Sequence, residues 1–149
     1  MALPIRGSDT FRRVIEGREF EIRRSAAGPF VSVITLSGPV ANGAQQQLEA
    51  ELADPSLSSK RVVVDLTEAT LYDSWPFHLL LDETHRFHSD GGELVVVSGA
   101  NSTVEPFVED GSLDGLRWCK SLDDALIELL AEVVERAGWS TEVPVPGAR

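Results

Sequence analysis

The sequence predicts an α/β fold in which helices pack on a mostly parallel central sheet. Two continuous β-branched runs, "KRVVVDLT" at residues 60–67 and "ELVVVSG" at residues 93–99, are typical of strands that are covered on both faces. Other segments repeat their apolar residues every three or four positions, as amphipathic helices do. Because strands and helices then alternate, right-handed crossovers would give one sheet of about five strands with about four helices.

The N-terminal part of the chain gives the first predicted strand. Residues 20–24, "FEIRR", alternate apolar and charged side chains, as a half-buried or edge strand does. The segment before them fits two structures equally well, a short helix capped by Ser8 or Asp9 or the approach to the strand. We therefore expect residues 1–18 to form an N-terminal extension ahead of the domain.

A second strand and the first helix follow. Residues 30–38, "FVSVITLSG", are rich in β-branched side chains and end at a Gly-Pro pair, which predicts a strand with Phe30 on one of its apolar faces. The spacing of apolar residues changes to that of a helix at residues 42–54, where Leu48 and Leu52 are four positions apart. These residues are expected to form a helix that ends before a proline.

The central part of the chain predicts a strand, a helix and a strand. Residues 60–67 form the third strand, and a helix begins at Ser74, has Pro76 in its first turn, and stops at Asp90. The side chains predicted to face inward are Phe77, Leu80, Leu81, Thr84 and either Phe87 or His88. Residues 93–99 form the fourth strand.

The C-terminal part predicts a short helix, a short strand and a long helix. Residues 102–109 suit the short helix, although Pro106 falls late in it, and residues 116–119 suit the short strand. Residues 121–138 form the long helix, with Ser121 as its N-cap. Its predicted apolar stripe consists of Leu122, Leu126, Leu129, Leu130 and Val133. We expect a single domain over residues 19–138 and a loose tail over residues 139–149.

Composition and charge exclude several classes of function. The chain has 24 acidic and 13 basic residues, a formal charge of -11 that disfavours nucleic acid and anionic membranes as partners. No apolar run is long enough to cross a membrane, and the N-terminus has no apolar leader segment. The single cysteine, Cys119, allows no intrachain disulfide. These features predict a cytoplasmic protein. Its acidic charge has two readings, solubility or an acidic surface that steers a basic protein partner.

No motif in the sequence indicates an enzyme. His78, Asp82 and His85 share one helix face, but their spacing matches no zinc motif, so we expect an exposed polar face and no metal site. Ser74 is not part of a nucleophile elbow, and Cys119 is expected to be buried and unreactive. Because no glycine-rich phosphate loop is present either, we expect no cofactor.

Ser74 has two readings, one structural and one functional. As an N-cap, its hydroxyl would accept a hydrogen bond from a free backbone N–H in the first turn of the helix. As a phosphorylated residue, it would place the phosphate near the helix dipole and those free N–H groups. The phosphate would also add about -1.5 to -2 charge to the surface.

The order of elements, with Asp73-Ser74 opening the helix after the third strand, resembles the STAS domain of anti-sigma-factor antagonists over residues 18–137. The resemblance is carried by "VSVITLSGPV", "KRVVVDLTEATLYDS" and "GGELVVVSGANSTVEPFVEDGSLDGLRWCKSLDDALIEL". It implies a non-enzymatic regulator that binds a kinase-like anti-sigma factor and is phosphorylated by it at Ser74. The unphosphorylated form would bind that factor and so release the sigma factor.

The resemblance also implies a binding surface and shows where this chain differs from the family. Trp75-Pro76 stands where the family has Ser-Gly, and Gly38-Pro39-Val40-Ala41 stands where it has Gly-Glu-Leu-Asp. The predicted partner-binding residues are Pro39, Val40, Ala41, Asn42, Asp73, Ser74, Trp75 and Pro76. An alternative is a divergent STAS scaffold or small-ligand sensor that uses the same surface without a phosphorylation switch, with Trp75 as an apolar anchor.

Overall fold

The computed structural model describes residues 10–15, 18–54 and 61–136. The strands are β1 (Thr10–Ile15), β2 (Arg18–Ala26), β3 (Val31–Val40), β4 (Arg61–Leu71), β5 (Glu93–Val97) and β6 (Trp118–Cys119). The α-helices are α1 (Gln45–Leu52), α2 (Trp75–Ser89), α3 (Glu105–Glu109) and α4 (Leu122–Arg136), and a 3-10 turn, Asn42–Ala44, precedes α1.

The described strands form one mixed sheet in the order in which they occur along the chain. The pairs β1–β2 and β2–β3 are antiparallel, whereas the pairs β3–β4, β4–β5 and β5–β6 are parallel. The predicted α/β fold with a mostly parallel sheet is therefore confirmed. The sheet has one strand more than predicted, because the segment that fitted either a helix or a strand forms β1 and pairs with β2.

The described sheet begins at Thr10, ahead of the domain boundary that the sequence predicted at residue 19. Strand β2 is half-buried, as predicted, but β1 covers the edge that it would otherwise expose. The predicted tail at residues 139–149, together with Gly138 at the predicted end of the last helix, lies outside the described residues.

The core lies on both faces of the sheet. Helices α1 and α2 cover the larger cluster, whose buried members include Phe20, Ile34, Leu36, Leu48, Val62, Val64, Leu80, Phe87 and Leu94. Helix α4 covers the smaller cluster of Val31, Val33, Val63, Val95, Val97, Ala125 and Leu129. Successive valines of β4 enter opposite clusters, which explains why the sequence of this strand has no polar alternation.

Several predicted boundaries and faces were wrong in detail. Strands β3 and β4 continue to Val40 and Leu71 because their ends pair with each other, a contact that no local pattern shows. Helix α3 begins at Glu105, which places Pro106 in the first turn, where a missing N–H costs no helical hydrogen bond. Two residues that were predicted to lie on apolar faces, Phe30 and Leu130, are exposed.

Gly38 allows β3 to approach β2 closely near the end of the strand. Its φ is +82°, and a Cβ at this position would lie 2.1 Å from the carbonyl oxygen of Glu19. A side chain there would collide with backbone atoms that cannot move without disturbing the sheet. Glycine is therefore required by both the local conformation and the neighbouring strand.

None of the described helices is long and apolar enough to cross a membrane.

Candidate functional site

The end of β4 extends beyond the end of β5 and leads into the segment that contains Ser74. The pairing of β4 with β5 stops at Asp65 and Val97, whereas its pairing with β3 continues to Leu71. Between the pairs Thr35–Asp65 and Ser37–Glu68, β4 advances by three residues and β3 by two. The extra residue in β4 forms a β-bulge. The strand beyond this bulge therefore has an edge that β5 does not pair.

Two side chains from the loop after β5 occupy this unpaired edge. Asn101 Nδ2 donates to the carbonyl oxygens of Leu66, at 2.7 Å, and Ala69, at 2.5 Å. Thr103 Oγ1 accepts from the N–H of Leu71 at 3.1 Å and donates to Asn101 Oδ1 at 2.7 Å. We call Asn101 and Thr103 the loop clip, because together they continue the hydrogen bonding of β4 almost to Ser74.

No local sequence pattern predicted the loop clip. Its only local signal is the Asn-x-Thr spacing, in which the Asn101 side chain accepts from the backbone N–H of Thr103 at 2.9 Å. Such turns are common after strands. The clip becomes recognisable only when the bulge in β4 is known, because the bulge exposes the groups to which it binds.

Ser74 lies where the sequence predicted, at the start of α2, but it does not cap the helix through its side chain. Its hydroxyl makes no capping hydrogen bond, while its carbonyl accepts from the N–H groups of Phe77, at 3.0 Å, and His78, at 3.3 Å. Pro76 has no N–H and is buried in the first turn, as predicted. The helix start therefore offers a phosphate fewer free N–H groups than the sequence predicted.

The residues on either side of Ser74 differ in exposure. Asp73 is exposed and accepts the N–H of Ser74 at 3.2 Å. Trp75 is half-buried and packs against the larger core cluster, so it is not a protruding anchor. The indole Nε1 of Trp75 is buried without a hydrogen-bond acceptor among the described residues. Accessible polar groups at the helix start therefore come from Asp73 and Ser74.

The two segments predicted to bind a partner do come together. Val40 pairs with Leu71, which brings the end of β3 next to the strand that leads to Ser74. However, the resemblance implied a Pro39–Asn42 loop, and this is wrong for Pro39 and Val40, because both are buried strand residues. Ala41 is half-buried and Asn42 opens the 3-10 turn, so these two residues form the loop itself.

The remaining candidate groups do not form a site among the described residues. His78, Asp82 and His85 lie on the exposed face of α2, and the described residues contain no group of three or more potential metal ligands. Cys119 is half-buried, and burial raises the pKa of its thiol, to which the nearby carboxylate of Glu128 adds. A raised pKa makes this thiol a poor nucleophile near neutral pH.

Comparison with known proteins identifies the fold. No protein-family model matches the chain, and no curated protein matches it in sequence. An anti-sigma factor antagonist from Mycobacterium paratuberculosis is similar in structure with a TM-score of 0.58 and 21% identity, over 86% of this chain and 99% of that one.

A second protein of this kind is similar in two forms. The unphosphorylated anti-sigma factor antagonist SpoIIAA has a TM-score of 0.56 and 13% identity, over 80% of this chain and 99% of that one. The Bacillus cell fate determinant SpoIIAA in the phosphorylated form has a TM-score of 0.53 and 14% identity, over 72% and 97%. This chain therefore has the fold of the anti-sigma factor antagonists, the STAS fold that the sequence predicted.

Proposed function

We propose that this protein is a non-enzymatic, cytoplasmic regulator that binds a kinase-like anti-sigma factor. Phosphorylation of Ser74 releases it from that factor. The observation that carries the proposal is the position of Ser74 on this fold. Its hydroxyl is not used to cap α2, and the turn that contains it follows a strand end held by the loop clip. A kinase requires such an uncommitted hydroxyl at a well-defined position.

The proposed contact surface consists of Ala41, Asn42, Asp73, Ser74 and the exposed part of Trp75. The strand pairing of Val40 with Leu71 holds the two segments of this surface together. Pro39, Val40 and Pro76 are buried. In this proposal they support the surface residues by packing and do not contact the partner directly.

Electrostatics supports phosphorylation as the switch. A phosphate on Ser74 would add about -1.5 to -2 charge beside the exposed carboxylate of Asp73. Because the first-turn N–H groups of Phe77 and His78 already donate to the Ser74 carbonyl, they are not free to bind the phosphate. The added charge would act mainly on the partner, by repelling acidic groups and disrupting apolar contacts.

A binding and phosphorylation assay tests the proposal. The wild-type chain and Ser74→Asp are each mixed with the purified kinase-like anti-sigma factors of the host and ATP. We expect the wild type to bind one of them and to acquire phosphate at Ser74 by mass spectrometry, and Ser74→Asp to bind it at least about tenfold more weakly. Ser89→Asp, which adds the same charge at the exposed far end of α2, serves as the matched control.

The same assay separates the proposal from a scaffold role without a switch. If wild type and Ser74→Asp bind one kinase-like factor equally well and Ser74 stays unmodified, the protein is a constitutive binder. The replacement of the family's Ser-Gly by Trp75-Pro76 is the feature that favours this second role. If no such factor binds the wild type, both roles that depend on a kinase-like partner fail.

A further inference from the structure

A small cavity lies at the carboxyl ends of β5 and β6, the edge of the parallel strands at which β4 also ends. Its volume is about 120 Å³, and its walls come from the loop after β5, from α3 and from β6 with the residue that follows it. In open parallel sheets, ligands bind in crevices outside the carboxyl ends of the strands. The cavity lies at this edge of the sheet, next to strands whose order does not reverse.

The apolar part of the cavity limits the size of its occupant. Val104, Val108 and Trp118 line it, with Val104 buried in the core and Val108 exposed at the rim. A cavity of about 150 Å³ lined by apolar side chains takes up a molecule of benzene. Because drug-sized and nucleotide-sized ligands need pockets of about 300 Å³ or more, this cavity fits a ligand with a short aliphatic group.

Charges of both signs line the same cavity. Lys120 follows β6, and Glu105 and Glu109 lie on α3. Among the residues whose side chains are described, Lys120 has no carboxylate partner. The described arginines that do have one are Arg23, Arg24, Arg61, Arg86 and Arg117.

Glu105 and Glu109 likewise form no ion pair within the described part of the chain. They do not pair with Lys120, although all three residues line one cavity. The Lys120 ammonium and the two carboxylates can therefore each form a charge-assisted hydrogen bond to the opposite charge of one ligand. The indole of Trp118 adds apolar surface for the aliphatic part of such a ligand.

We propose that this cavity binds a small aliphatic zwitterion, of the chemical class of an α-amino acid. The ligand carboxylate would pair with Lys120, its ammonium with Glu105 and Glu109, and its aliphatic side chain would contact Val104, Val108 and Trp118. The proposal does not depend on the phosphorylation of Ser74, because none of these six residues belongs to the proposed partner surface.

Titration with L-valine, followed by NMR of the amides of the full chain, tests the proposal. We expect saturable shifts at Gly99, Val108 and Lys120 at millimolar valine. Isovalerate, which lacks the ammonium group, and isobutylamine, which lacks the carboxylate, are the matched probes. Each should bind at least about tenfold more weakly than valine, because each loses one charged hydrogen-bonding pair.

Two conservative variants locate the binding to this cavity. Lys120→Gln and Glu109→Gln change exposed side chains, and each should weaken valine binding about tenfold. Glu49→Gln on the exposed face of α1 should leave it unchanged. The proposal is overturned if valine shifts none of the three amides, if isovalerate or isobutylamine binds as well as valine, or if both cavity variants bind valine as the wild type does.

Discussion

The hydroxyl of Thr103 accepts the backbone N–H of Leu71 at 3.1 Å, three residues before Ser74. This bond links the loop after β5 to the last residue of β4, beyond the point where the two strands pair. A side chain therefore performs the role of a neighbouring strand. The position of the predicted phosphorylation site depends on a contact between residues that are 32 positions apart.

Removal of the Thr103 hydroxyl should loosen this strand end. In Thr103→Val the N–H of Leu71 loses its acceptor, and the amide of Leu71 should exchange with solvent faster than in the wild type. We expect a loss of about 1–2 kcal/mol in the free energy of unfolding, as for a part-buried hydrogen bond. Ser102→Ala, in the same loop but exposed, is the control and should stay within about 0.5 kcal/mol.

The serines at the starts of α2 and α4 should respond differently to replacement by alanine. Ser121 Oγ accepts the N–H of Asp124 at 3.0 Å, whereas the Ser74 hydroxyl makes no capping bond. Urea unfolding should show that Ser121→Ala costs about 1 kcal/mol and that Ser74→Ala changes stability by less than about 0.5 kcal/mol. Equal losses in the two variants would contradict the structure at Ser74.

Gly38 and Gly28 form a matched pair for testing the close approach of β3 to β2. Both have positive φ, but a Cβ at Gly28 meets nothing within 4 Å, whereas one at Gly38 meets the Glu19 carbonyl. Gly28→Ala should therefore cost about 1–2 kcal/mol, the penalty of the backbone conformation alone. Gly38→Ala should cost more than about 3 kcal/mol in urea unfolding, or prevent folding. Similar losses would show that the steric contact is absent.

The Cys119 thiol should titrate at higher pH in the folded protein than in the unfolded chain. Burial raises its pKa, and the carboxylate of Glu128, with oxygens 3.9 and 4.0 Å from Sγ, raises it further. The folded state thus holds the thiol proton more tightly. The resulting stabilisation is present below the unfolded pKa and is lost as the pH rises through the folded pKa.

The pH dependence of iodoacetamide alkylation measures this effect. The midpoint for the native protein should lie above that measured in urea, and Glu128→Gln should lower the native midpoint. Glu135 is exposed on the same helix, and Glu135→Gln should leave the native midpoint unchanged. A native midpoint at or below the value in urea would show that Cys119 is neither shielded nor close to Glu128.

Local sequence patterns were sufficient for elements whose own residues determine them. The amphipathic helix that contains Leu48 and Leu52 has both residues fully buried, as predicted. Ser121 caps α4 through its side chain by accepting the N–H of Asp124, as predicted. In contrast, Ser74 has the same kind of sequence signal, but its φ and ψ are helical, unlike those of a typical N-cap residue, and its hydroxyl makes no capping hydrogen bond.

The sequence by itself determined the order of the strands and helices, the two-sided burial of β4 and β5, and the position of Ser74 at the start of α2. These features follow from apolar periodicity and from turn residues, which act over a few positions. Only the tertiary structure decided that β1 joins the sheet, that Pro39 and Val40 are buried, and that the loop clip holds the strand before Ser74. Each of these depends on hydrogen bonds or packing between distant segments, which local patterns do not encode.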